Sequence, residues 1–147
     1  MSLTVWLENR WIQIHRIDGR EVRAVLELVE QDLADCAIVE LSLDRRLGIA
    51  YNASLQLALL ALAVAGYRPG RDRHHELALD SLKFTVDLDA GTVATLQTIR
   101  RKRNIGQYER PGSASEKEAL EARRLAVELR SRVLAWLREH HPELHPR

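Results

Sequence analysis

Between Ala53 and Ala65 the chain reads ASLQLALLALAVA, apolar at every position except Ser54 and Gln56. At helical geometry this segment has no polar face, so it must be covered on most sides. It is the central helix of a helical assembly, or a helix that also forms a subunit interface. Its greasiest run, Leu57 to Gly66, is only about half of a membrane span and reads as a buried helix.

The flanking segments supply the cover. Asp18 stands three residues before Glu21, an N-cap and N3 carboxylate arrangement, and Val22, Val25, Leu26, Val29, Leu33 and Ala37 follow at three- and four-residue spacing. Ser42 can cap the central helix, and Gly66 can end it in a left-handed conformation. After the polar turn YRPGRDR, a helix is expected from about Asp72 to Val86, broken at Asp89 and Gly91. Another carries Val93, Leu96 and Ile99 up to Asn104. Ser113 and Glu116 form a capping box for the last helix, with Leu120, Val127, Leu134 and Leu125, Leu129, Val133, Trp136 as its core stripe and Pro142 past its end. The first residues are ambiguous: Leu3, Leu7, Trp11 and Ile14 fit a helical stripe, while RWIQIHRI also alternates. A short helix and an irregular linker are expected there. Valine and isoleucine are scattered, which argues against a sheet. The expected fold is all-α: an antiparallel four-helix bundle over residues 18–141, a short N-terminal helical extension over 1–17 and a frayed tail over 142–147.

A chain of 147 residues, 46% apolar and 29% charged, fits one folded domain. Its formal net charge of +1 excludes a global basic field, so any nucleic-acid contact must be local. The lone Cys36 excludes an internal disulfide and suits either a buried small apolar position or a reducing cytoplasm. The N-terminus MSLTVWLENRW interrupts any signal-like apolar run with charge, and a cytoplasmic location is expected. His140, His141 and His145 straddle Pro142 without rigid same-face spacing; neither a metal nor a cofactor is expected.

Chemistry concentrates in Arg100, Arg101, Lys102, Arg103, Asn104, Ile105, Gly106, Gln107, Tyr108, Glu109 and Arg110. Four consecutive cations at a helix end, then a planar amide and a phenol, suit phosphate or RNA contact, because guanidinium forks match phosphate oxygens and tyrosine stacks on bases. The same run also suits a helix C-terminus, where cations offset the dipole and Gly106 can end the helix, and short basic clusters are common on protein surfaces. Asp44, Arg45, Arg46, Tyr51 and Asn52 form a second polar group; Asp44 and Tyr51 share a helix face and either orient Arg103 or are ordinary helix-start residues. His74 and His75 open a helix that the fold could bring near Arg103.

Arg103 followed by Asn104, with Tyr108 after four intervening positions, resembles the conserved element of the HEPN family, in which an arginine and a polar residue precede a histidine. DRRLGIAYNASLQLALLALAVAGYRP, then HHELALDSL, is similar to the second and third helices of many such proteins. The likeness covers about Asp18 to Trp136. It implies a four-helix bundle, a homodimer that joins two motifs in one cleft, and RNA or nucleotide as ligand. It also implies a nucleotidyltransferase-type partner and toxin-like roles in some members. Catalytic members are metal-independent endoribonucleases: the ribose 2′-hydroxyl attacks the neighbouring phosphate, histidine handles protons and arginine stabilises the developing charge. Carried over, Arg103 contacts phosphate, Asn104 orients it, and Arg100, Arg101, Lys102 and Arg110 extend the nucleic-acid surface. Tyr108 stands where the family has histidine. With an ordinary pKa near 10 it suits a contact or a weak acid rather than a base. The alternative is a non-catalytic dimeric helical module that binds a protein or nucleotide.

Overall fold

The computed structural model describes residues 2–146, with the side chains of residues 106–108 outside the description. In chain order these residues form α1 (Leu3–Glu8), β1 (Ile12–Ile14), α2 (Gly19–Asp35), α3 (Leu43–Val64), β2 (Tyr67–Pro69), α4 (His74–Thr85), α5 (Ala90–Tyr108) and α6 (Glu116–His140). The chain is mostly helical.

The apolar segment dictates this arrangement. α3 lies at the centre, packed most extensively on α6 and α2 and then on α4 and α5. Ala50, Ala53, Ala58 and Ala61 are fully buried beside the equally enclosed Leu57, Leu60 and Leu62. Small residues between leucines let neighbouring helices approach closely on several sides. By length and composition α3 could cross a membrane, but 67% of its apolar window is buried inside the protein. Cys36 is buried with the core, its Sγ donating weakly to the Leu33 carbonyl.

Local chemistry sets most helix ends. Asp18, Ser42 and Asp89 accept from the amides of Glu21, Arg45 and Thr92, which satisfies amide donors that each helix start leaves open. Gly66 follows α3 at φ 107°, the left-handed conformation expected of it. The carbonyls of Val86 and Asp87, just past α4, accept from the Arg132 guanidinium of α6 at 2.9 Å each.

Four expectations are corrected. A sheet does form: β1 and β2 pair antiparallel, Ile12 with Pro69, Gln13 with Arg68 and Ile14 with Tyr67. It closes a second small core, in which Trp6 and Ile12 pack with Leu62 and Leu77. Next, α5 does not stop at Asn104 or Gly106 but continues to Tyr108. A glycine costs a helix interior only about 1 kcal/mol, and here the helix runs through it. The capping box of α6 is Ser115 with Glu118, not Ser113 with Glu116, because Asp44 of α3 accepts from the Gly112 and Ala114 amides and holds the preceding residues in a loop. Finally, Leu120 is 51% and Val127 36% exposed. The buried stripe is Ala119, Ala122, Leu125, Ala126, Leu129, Val133 and Leu137, whose alanines admit α3.

Candidate functional site

The C-terminal half of α5 lies beside the middle of α3 and the start of α4, and three side chains converge there. The aliphatic part of Arg103 passes Gly48, where a Cβ would sit 3.9 Å from the arginine Cγ. One turn along α3, the Arg103 guanidinium carbon lies 5.7 Å from the centroid of the Tyr51 ring, within cation–π range. The other neighbour of that ring is His75, 6.2 Å away between centroids, and His74 stands edge-on to His75 at 5.0 Å. The arginine stem packs beside Gly48, Tyr51 supports its head, and α4 delivers the imidazoles.

Arg100 joins this group through Gln97. The buried Gln97 amide donates to the Glu76 carbonyl and to Asp80 Oδ1, both at 2.9 Å, and its Oε1 accepts from Arg100 Nε at 2.8 Å. One glutamine therefore ties α5 to α4 and fixes an arginine at their junction.

Several polar groups here lack a mate. The Tyr51 hydroxyl and Arg103 Nε are buried and have no hydrogen-bond partner among the described residues. Among the described residues Arg103 Nη1 donates to Asn104 Oδ1, at a long 3.4 Å. Unsatisfied buried donors are rare in folded proteins and are unfavourable unless something accepts from them.

Electrostatics follow from this packing. Burial pushes the Tyr51 phenol up to about 12, against the opposing pull of Arg100 and Arg103. Burial also lowers the pKa of His75, helped by His74, Arg103 and Arg100. At neutral pH the cluster thus holds a neutral phenol, a neutral imidazole and two guanidinium cations. A neutral imidazole can accept a proton; paired guanidiniums can bind an anion.

The remaining sequence-marked residues are distributed as follows. Lys102 leaves the cluster and pairs with Glu118 of α6 at 3.5 Å. Arg101 is exposed and donates to Thr98 Oγ1. Arg110 is exposed beyond α5. The backbone of Tyr108 ends α5, and its side chain lies outside the described residues. Asp44 does not reach Arg103 but anchors the α5–α6 loop. Asn52 donates to Asp32 on α2 at 2.8 Å, Arg46 Nε to the Cys36 carbonyl at 3.4 Å, and Arg45 is exposed. Among the described residues no group of three or more His, Cys, Asp or Glu is placed to hold a metal ion. Sequence reasoning missed Gln97, which carries no motif; only its tertiary partners reveal it.

Compared with protein-family models, curated proteins and solved structures, the chain matches none.

Proposed function

We propose that this chain is a HEPN-like four-helix-bundle protein that binds RNA at the Arg103–Arg100–His75 cluster and cleaves it without a metal. One observation carries the reading: a guanidinium with a buried Nε that has no partner among the described residues rests on the Tyr51 ring, which also packs against the His75 imidazole. In the proposed reaction the RNA phosphate lies against Arg103 and Arg100. The 2′-oxygen attacks phosphorus and its proton passes to the neutral His75 imidazole. The P–O5′ bond breaks, the departing oxygen takes a proton from water, and a 2′,3′-cyclic phosphate remains. The guanidiniums stabilise the charge that builds on the phosphoryl oxygens. His75 thus takes the proton-handling role that the family gives to the residue at the Tyr108 position. Two subunits would bring two such clusters into one cytoplasmic enzyme, with a nucleotidyltransferase-type protein as a fitting partner.

The test is binding of fluorescein-labelled single-stranded RNA in excess EDTA by the wild type, Arg103→Ala and Arg103→Lys. Affinity is expected to fall at least tenfold in the alanine variant, with partial recovery in the lysine variant, which keeps the charge but not the fork. Equal affinity in a folded Arg103→Ala protein would refute the reading.

A second reading, a non-catalytic interaction module, is favoured by the exposed Leu120 and Val127, seven residues apart on one face of α6. A Leu120→Glu and Val127→Glu variant that loses self-association while the wild type neither binds nor cleaves RNA would select it.

A further inference from the structure

Outside the Arg103 cluster, a hollow of about 410 Å³ with an excess of cations in its lining lies where the N-terminal segment meets the start of α4. Its walls include Arg10, Arg71, Arg73 and Trp11, with Asp72 as the one acid among its lining residues. The hollow is a product of the small sheet. Gly70, just past β2, donates to the Trp11 carbonyl at 2.8 Å, and a Cβ there would meet the Arg10 and Trp11 carbonyl oxygens at 3.3 Å. A side chain there would crowd both carbonyl oxygens, so glycine favours this close approach, which brings Arg10 to the same hollow as Arg71 and Arg73.

We propose that this hollow is a second nucleotide subsite, in which a base stacks against Trp11 and Arg73 while Arg10 and Arg71 hold the adjoining phosphates. The Arg73 guanidinium carbon lies 5.7 Å from the Trp11 ring centroid. A guanidinium laid on an aromatic face is pre-organised: its outer face is open to a further planar group, and its edge still donates. Arg10, Arg71 and Arg73 are all exposed, and none is in an ion pair among the described residues. Cations interleaved with an aromatic ring are the combination that single strands require, one for the backbone and one for the bases. An acidic peptide would need the cations but not the ring.

The location supports the assignment. Arg73 directly precedes His74, whose ring is 5.0 Å from His75, and His75 is 6.2 Å from the Tyr51 ring that supports Arg103. The Trp11–Arg73 pair is thus joined through the start of α4 to the His74–His75 pair, which packs against the Tyr51 ring. A strand held at His75 would have the hollow as its neighbouring contact. The inference rests on the RNA reading of the Arg103 cluster and extends it: the N-terminal segment supplies part of the substrate groove.

The experiment compares a dinucleotide with a single strand of about 12 nucleotides, within the footprint typical of strand-binding grooves. The proteins are the wild type, Arg10→Gln/Arg71→Gln, Trp11→Leu, Trp11→Phe and Arg103→Ala, each shown to be folded by circular dichroism. The double variant is expected to bind the longer strand about tenfold more weakly, with a salt slope lower by about 1.4, or about 0.7 per lost phosphate contact. Trp11→Leu is expected to lose about tenfold by losing the stack, whereas Trp11→Phe, which keeps a ring, retains most binding. Dinucleotide affinity stays unchanged in all three. Wild-type affinity for the long strand in the double variant, alongside a loss in Arg103→Ala, would overturn the subsite and leave the cluster reading standing. Loss in the hollow variants with none in Arg103→Ala would keep the subsite and remove the cluster reading. If polyglutamate displaces the strand from the wild type as well as RNA does, and Trp11→Leu binds normally, the hollow is an acidic-protein dock and the proposal fails.

Discussion

Replacing Tyr51 by phenylalanine is expected to stabilise the protein. The ring is 1% exposed and its hydroxyl has no hydrogen-bond partner among the described residues. Burying such a group without compensation costs about 1–3 kcal/mol by mutational measures. Phenylalanine keeps the ring under Arg103 and removes only the oxygen, so the low end of that range, a gain of about 1 kcal/mol, is the expected result. For a chain of this size that corresponds to a rise of about 2–4 °C in Tm. Urea denaturation followed by far-ultraviolet circular dichroism should show a higher midpoint at unchanged slope. The phenol adds a pH signature. Its folded-state pKa is raised to about 12, while the unfolded chain ionises near 10. The unfolded state therefore loses its proton first, and the wild type should lose stability between about pH 10 and 12 by a route absent from Tyr51→Phe. A Tyr51→Phe protein less stable than the wild type at pH 7 would show that the hydroxyl is satisfied and refute its description as an unpartnered group.

Three further outcomes follow from the same geometry. The folded-state pKa of His75 is lowered by burial and by its cationic neighbours, so it contributes stability above its unfolded pKa of about 6.5 that is lost as pH falls below it. Proton NMR should find its midpoint depressed and rising towards the ordinary value in Arg103→Ala. Asp44→Ala removes the carboxylate that accepts from Gly112 and Ala114; the expected loss of about 2 kcal/mol, read by thermal melting, follows from two charge-assisted bonds. Leu129→Ala, at a buried position, should cost about 2–5 kcal/mol, while Leu120→Lys, at an exposed one, should shift stability by less than about 0.5 kcal/mol in the monomer, both by urea titration.

What was legible in the sequence was what local chemistry decides. Asp18 and Ser42 each sit one residue before their helix and accept from its amides, and such caps depend only on residues three positions apart. The central role of α3 was legible because a helix without a polar face has few places to go. The β1–β2 pairing was not, because Ile12 meets Pro69 across two whole helices and each strand has only three residues. The α6 cap shows the limit most clearly. Ser113–Glu116 and Ser115–Glu118 have the same spacing, and a distant aspartate chose between them. At the candidate site, the basic run announced Arg103 by itself. That Tyr51 supports it and His75 stands beside the same ring was an open alternative until α3, α4 and α5 were placed together. Gln97 carried no signal, since an isolated glutamine in an amphipathic helix is ordinary until its partners are known.

The central claim, that the Arg103–His75 cluster is a metal-independent RNA-cleaving site, is tested most directly by end-group analysis of RNA incubated with the protein in excess EDTA. Wild type, Arg103→Ala, His75→Ala and Tyr108→Phe should be compared across the neutral pH range. The account predicts 2′,3′-cyclic phosphate ends from the wild type, near-complete loss in Arg103→Ala and His75→Ala, and activity retained in Tyr108→Phe. Intact RNA with the folded wild type, or cleavage undiminished in His75→Ala, would contradict it.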